Sequence, residues 1–204
     1  MISLFIDTSM MNVSISIVKD DKILSIIQEE IPNEHSKYAT NYVKKVIDEA
    51  GIDANDVDNI LVVNGPGSFT GVRVGVTVAK MIGWALKKDI IPLSSLELLA
   101  TTEIDATNHI GVIDARRGYV FAGIYDSSLN RIMEDKYMPL ADLEVYLSDG
   151  KLISYDKLDG VTEPVIDIAK IVEKHINDKP INAHALKPNY LKLTEAEEKK
   201  KESK

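Results

Sequence analysis

The stretch Asn64-Gly65-Pro66-Gly67-Ser68-Phe69-Thr70-Gly71-Val72-Arg73-Val74-Gly75 decides how this chain folds. It follows the apolar run Ile60-Leu61-Val62-Val63 and opens a long helical pattern that reaches Leu86, so it reads as strand, tight loop, helix. Gly65 and Gly67 flank a proline whose φ is fixed, which makes the loop stiff. Ser68 or Thr70 is placed to cap the helix, whose free N–H groups form a natural anion site. The same glycines would equally serve close packing of the loop against a neighbour, and the spacing does not choose between the two uses. It lacks the Gly-Lys-Ser/Thr of a P-loop and the full dinucleotide fingerprint, so neither cofactor is implied.

Working outward, Ile2 to Ile6, Val13 to Val18 and Ile23 to Ile27 predict three strands, with Lys19-Asp20-Asp21-Lys22 as a polar hairpin turn. A helix is predicted over about Glu34 to Ala50, with Tyr38, Tyr42, Val46 and Ala50 on one stripe and Gly51 as its stop. A short strand at Ile90-Ile91 and a helix over Leu96 to Thr102 follow the glycine loop and its helix. The second half then opens as the first did. Phe5-Ile6-Asp7 with Val13 and Ile17 matches Val112-Ile113-Asp114 with Val120 and Ile124 at a constant offset, and Ile132 to Met138 supplies a further strand. The expected architecture is a duplicated, two-lobed α/β fold of the actin-like or ribonuclease-H-like class. Its lobes would run over 1–104 and 105–204, the second shortened, with the two aspartate-bearing turns facing each other across a cleft. The tail from about Glu195 to Lys204 has no apolar residue larger than alanine and is expected to be solvated.

Composition narrows the function. The formal net charge of −8 on 204 residues argues against binding tRNA or DNA by bulk electrostatics. The absence of cysteine excludes disulfides, thiol catalysis and cysteine zinc sites, which suits a reducing compartment. Met1 to Ile6 reaches Asp7 too soon for a signal peptide, and Val72 to Leu86 is short for a membrane span and carries Arg73 and Lys80. A cytoplasmic protein without a membrane partner is expected.

Four segments, Ile6-Asp7-Thr8-Ser9, Glu34-His35-Ser36, Gly65 to Arg73 and Ile113-Asp114-Ala115-Arg116-Arg117-Gly118, resemble the TsaB (YeaZ) family in order and separation. Lys187-Pro188-Asn189-Tyr190-Leu191-Lys192 resembles the closing motif of that family. The resemblance implies a partner subunit of the bacterial complex that places a threonylcarbamoyl group on the adenosine next to the anticodon of tRNAs reading ANN codons. It implies pairing with the catalytic subunit TsaD, joining by the ATPase TsaE, a homodimer in isolation, and tRNA contact made mainly by other subunits. It also implies no catalysis by this chain. TsaD-like proteins hold a metal with a His-x-x-x-His pair, and the aligned places here carry Ser95 and Leu99. Neither replaces an imidazole as a ligand, so no metal site is expected.

The candidate residues fall into two groups. A vestigial nucleotide or anion loop would comprise Asp7, Gly65, Gly67, Ser68, Thr70, Gly71, Arg73, Asp114 and Arg116, with no resident cofactor expected because the turn Thr8 to Asn12 has no glycine to bring backbone close to a phosphate. A partner interface would comprise Tyr38, Tyr42 and Val46 of the first helix with Val72, Gly75, Val76, Ala79, Lys80 and Gly83 of the second. Gly71, Gly75, Ala79 and Gly83 recur every four residues and form a flat seam for a close neighbour, either this chain's own sheet or another chain's helix. The rival reading is an independent ATP-dependent phosphotransferase or acyltransferase of the same fold.

Overall fold

The computed structural model describes residues 1–30 and 35–192; Glu34 and the charged tail lie outside them. Two five-stranded sheets carry the fold. In the first, β1 (Ile2–Asp7), β2 (Asn12–Lys19) and β3 (Lys22–Glu30) form an antiparallel meander, and β4 (Asn59–Val63) and β5 (Asp89–Leu93) add in parallel, in the order β3-β2-β1-β4-β5. The second is built the same way from β6 (Asn108–Asp114), β7 (Tyr119–Tyr125), β8 (Arg131–Pro139), β9 (Gly150–Ile153) and β10 (Val161–Thr162), in the order β8-β7-β6-β9-β10. Two sheets with one strand order and one pattern of pairing senses make the duplicated actin-like fold.

The alternation in β2 explains the layering. Val13, Ile15 and Ile17 point to one face, where they join Leu4, Ile6, Ile60 and Val62 under α1 (His35–Ala50) and α2 (Phe69–Leu86). α1 buries Ala39, Val43 and Val46 and ends at Gly51, whose φ of +67° gives the left-handed stop the sequence predicts. The opposite face presents Phe5, Leu61 and Val63 to a core shared with the second sheet. Two short helices complete that core by exchange. α3 (Ser95–Leu99) follows the first sheet but packs on β6 and β7 of the second, while α4 (Ile168–His175) follows the second and packs on β1 and β3 of the first. α3 ends before the predicted Thr102 because the Thr101 hydroxyl donates to the Leu98 carbonyl (2.7 Å), a local bond that competes with the helix.

The second half is thinner. Its outer face is covered by a 3-10 stretch, Leu140–Tyr146, that plugs Leu143 into Ile110, Val112 and Ala122, and no helix is described between β9 and β10. The predicted extent 105–204 also needs qualifying. Ile181 bridges to Ile90 on the free edge of β5, and Ala183 and Leu186 enter the core beneath α1 and α2, so part of the second half's sequence is packed in the first.

Candidate functional site: a cleft and an exposed helical face

The glycine loop lies directly on the β1–β2 turn. The Ser68 N–H donates to the Ser9 carbonyl (2.8 Å), and the Thr8 hydroxyl donates to the Gly71 carbonyl (2.7 Å). A Cβ at Gly67 would overlap the Ser9 carbonyl oxygen, and one at Gly71 would overlap that of Thr8. These two glycines are thus required by chain-to-chain approach, the packing use of the motif. Ser68 caps α2, its Oγ accepting from the Gly71 N–H (3.2 Å), whereas Thr70 is exposed. The C-terminal segment straps the loop from above. Asn64 donates to the Lys187 carbonyl (3.0 Å) and accepts from the Asn189 N–H (2.7 Å), and a Cβ at Gly65 would meet the Asn189 carbonyl at 3.0 Å. Arg73 places its guanidinium 3.6 Å from the Phe69 ring centroid and donates from Nε to the Tyr190 hydroxyl (2.7 Å). The Lys187–Lys192 motif is therefore a clip on the glycine loop and the start of α2.

Asp7 ends β1 at 2% exposure, with Oδ1 accepting from the Ser9 N–H (2.8 Å) and hydroxyl (2.7 Å). Burial pushes its carboxyl from 3.8 up to about 6, with the two Ser9 hydrogen bonds pulling the other way. A folded-state pKa above the unfolded one means that this group's contribution is fully present below about pH 4 and is lost as pH rises through about 6. Asp7→Asn keeps an acceptor for Ser9 and removes the charge. Wild type is expected to lose up to roughly 3 kcal/mol against this variant between pH 4 and 7. Urea unfolding of both chains across that range checks it; parallel stability curves would contradict the assignment.

Between the two sheets lies a cavity of about 460 Å³. Ser9, Gly67 and Ser68 reach it from the first half, Asp114, Arg116, Phe121, Ser154, Tyr155 and Asp156 from the second, and Leu99 from α3. The two aspartate-bearing turns face each other across this cavity, as the sequence predicts, but their carboxylates do not occupy equivalent places. Asp7 pairs with Ser14 but Asp114 pairs with Val120, so the second turn is one residue shorter. Keeping Val13 and Ile17 level with Val120 and Ile124 puts Asp7 level with Ile113. Asp7 is thus buried under its turn while Asp114 lines the cavity, accepting from the Arg116 N–H (2.8 Å) and Nη1 (3.2 Å). Arg116 and Arg117 both have left-handed φ, +70° and +57°, a conformation that costs a non-glycine residue on the order of 1–3 kcal/mol. Of the aligned metal positions, the Ser95 hydroxyl donates to the Pro66 carbonyl and Leu99 forms apolar wall. Among the described residues no group of three or more His, Cys, Asp or Glu is arranged to hold a metal ion. Ser154, Tyr155 and Asp156 had no sequence signal, because they reach the cleft only through the parallel pairing of β9 with β6.

The seam of small residues faces inward. Gly75 would put a Cβ 2.6 Å from the Thr8 hydroxyl, Gly83 would put one 2.9 Å from Ile90, and Ala79 is fully buried. Val46, Val72 and Val76 are also core, and Lys80 is half-buried with Nζ donating to the Leu186 carbonyl (3.2 Å). The placement of Val46, Val72, Gly75, Val76, Ala79 and Gly83 on an outer interface is therefore corrected; they join α1 and α2 to their own sheet. Tyr38 and Tyr42 stack at 5.8 Å on the half-buried flank of α1, and the Tyr42 hydroxyl donates to Glu29 (2.6 Å). The outer side of α2 instead exposes Phe69 (53%), Met81 (50%) and Trp84 (70%). A groove of about 440 Å³ between α1 and α2 is lined by Thr40, Phe69, Arg73, Val74, Thr77 and Met81. No helix among the described residues is long and apolar enough to cross a membrane.

Comparison with known proteins decides the family. A curated relative from Bacillus subtilis (strain 168), tRNA threonylcarbamoyladenosine biosynthesis protein TsaB, is 30% identical over 96% of this chain and 96% of its own length. The chain belongs to the TsaB family. The family description TsaD, tRNA N6-adenosine threonylcarbamoyltransferase, matches residues 22–159, so TsaB and TsaD share the pattern of this region. A TsaD relative from Prosthecochloris aestuarii is 29% identical over 79% of this chain but only 52% of its own length. In three dimensions the chain is similar to YeaZ from Pseudomonas aeruginosa, with a TM-score of 0.79 at 24% identity over 93% of this chain and 99% of that one. That likeness is one of fold.

Proposed function

We propose that this chain acts in the cytoplasm as the non-catalytic activating subunit of a complex that threonylcarbamoylates the adenosine next to the anticodon in tRNAs reading ANN codons. It binds a TsaD-like catalytic subunit, with a TsaE-like ATPase joining them, and pairs with itself when the catalytic subunit is missing. The observation that carries this reading is an outer helical face with Phe69, Met81 and Trp84 exposed beside a groove, on a chain whose full-length relative is TsaB. Trp and Met are enriched where proteins bury surface against each other, and large apolar side chains exposed on one helix support reading it as an interaction face. Activation requires that the face bind the catalytically competent state of the partner more tightly than the other state, not merely that it bind. The acidic balance supports a reading in which the partner makes most of the tRNA contact.

Reconstitution with purified subunits, tRNA, ATP and the threonylcarbamoyl donor tests it. Omitting this chain is expected to cut product formation by at least about a hundredfold, the size of effect that separates assembly of a site from a modest rate contribution. Modification at full rate without it, or by this chain alone, would overturn the proposal. The inter-sheet cavity supports one rival, a free-standing ATP-dependent phosphotransferase or acyltransferase. Against it stand a first turn without glycine and the occupation of its loop glycines by backbone contacts with Thr8 and Ser9. Calorimetry of the lone chain with ATP and Mg²⁺ distinguishes the two: tight binding with turnover favours the enzyme.

A further inference from the structure

Outside the cleft, a dense set of ionisable side chains lies where the exchanged helices meet. Glu97 of α3 is 4% exposed at its side chain and receives the His175 Nε2 at 2.8 Å and the Lys174 Nζ at 3.2 Å, both from the end of α4. Arg131 of β8 stands 3.9 Å from the other Glu97 oxygen. Asp178, just after α4, lies 2.6 Å from the His175 Nδ1. Next to this group, Asp135 accepts from the Tyr125 hydroxyl (2.5 Å) and from Ser94, the cap of α3, while Asp126 lies near Lys174. Both ring nitrogens of His175 thus face carboxylate oxygens. A neutral imidazole has one donor nitrogen and one acceptor, so it satisfies only one of them; both bonds require the imidazolium.

We propose that His175 is the pin of a proton-operated clasp, fastening α4 to α3 and so setting how firmly the glycine loop is held over the cavity. The link to the cavity is α3 itself, which carries three functions on alternate residues. Ser95 bonds the Pro66 carbonyl of the glycine loop, Glu97 takes the clasp, and Leu99 forms cavity wall. When His175 loses its proton, one carboxylate bond is lost and Lys174 and Arg131 alone hold Glu97. The helix that anchors the glycine loop is then freer to move.

The direction of the pH dependence follows from both partners. Burial alone would lower the His175 pKa, but the hydrogen bonds and charges of Glu97 and Asp178 hold it above its ordinary 6.5. Its contribution is therefore complete below about 6.5 and is lost as pH rises through the folded value. Burial alone would raise Glu97, but His175 and Lys174 hold it below 4.5, so its contribution is present above 4.5 and is lost on acidification. The clasp is closed between these limits and opens on the alkaline side, as pH rises through the raised His175 value.

The test uses the full-length chain. Histidine ring resonances are followed by NMR from pH 5.5 to 9, alongside hydrogen exchange of residues 65–71 and 95–99, corrected for the intrinsic rise of exchange with pH. His175 is expected to titrate above 6.5, and to titrate lower in Asp178→Asn, a change at a half-exposed carboxylate that leaves the core intact. Corrected opening of the two segments is expected to increase about tenfold for each unit by which the His175 pKa exceeds its unfolded value. His175→Gln should show the alkaline level of exchange at every pH, and Asp178→Asn an intermediate response, which keeps the test informative if His175→Gln fails to fold. A His175 that titrates at or below 6.5, or glycine-loop exchange that is flat after correction, overturns the proposal.

Discussion

Gly71→Ala is expected to destabilise the protein by about 2–4 kcal/mol, although the same change in a free-standing helix would gain about 1 kcal/mol. The sign is set by the Thr8 carbonyl, which occupies the space a Cβ would need. That oxygen is backbone, it belongs to a turn tied by Asp7 to Ser9, and the Thr8 hydroxyl is itself bonded to the Gly71 carbonyl. None of these groups can rotate away without breaking another bond. Gly75→Ala meets only the Thr8 hydroxyl at 2.6 Å, and Gly83→Ala meets mainly the Ile90 side chain at 2.9 Å, which can shift. The expected order of loss is Gly71, then Gly75, then Gly83. Urea unfolding midpoints read it directly, and equal losses at Gly71 and Gly83 would show that the seam does not rest on β1.

Met81→Asp combined with Trp84→Asp should leave the fold intact and abolish association. Both side chains are at least half exposed, so neither change opens a cavity or buries a charge in the isolated chain. In a complex they would be the large anchors of the face, and losing such an anchor typically costs 2 kcal/mol or more, which for the pair is roughly a thousandfold in affinity. Gly75→Asp is the informative contrast. It forces a carboxylate against the Thr8 hydroxyl in the core and should lower stability whether or not a partner is present. Light scattering of the chain alone and mixed with the catalytic subunit, run beside thermal melts, distinguishes the two classes. Assembly unchanged in the double variant would remove the outer side of α2 from the interface.

The order of elements was legible because each has a local cause: alternation in β2, the Gly51 stop, the Ser68 cap, the glycine loop after an apolar strand. The duplication was legible for the same reason, since both halves repeat three hairpin strands before a crossover. What periodicity cannot supply is the identity of a neighbour. A stripe at every fourth position fixes a face of α2, and either a partner helix or β1 would account for Gly71 and Gly75 equally well. Only the fold decided that Thr8 fills the seam. Register is lost in the same way. The shift of one residue between the Asp7 and Asp114 turns is invisible to a constant offset, yet it sends one carboxylate into the core and the other into the cleft. The cluster around Glu97 and His175 joins residues 78 positions apart in sequence, and nothing local announces it.

The exchange of α3 and α4 has a consequence for how this polypeptide is made. A ribosome delivers the first sheet early, but three of the side chains that close its inner surface, Ile168, Ile171 and Val172, are synthesised well after it. Until they arrive, the core around Phe5, Leu61 and Val63 is incompletely covered, and the segment that seals the edge of β5 at Ile181 is later still. The nascent first half must therefore wait, partly open, for α4, and any premature stop before residue 168 leaves a product with a greasy surface for chaperones and proteases to find.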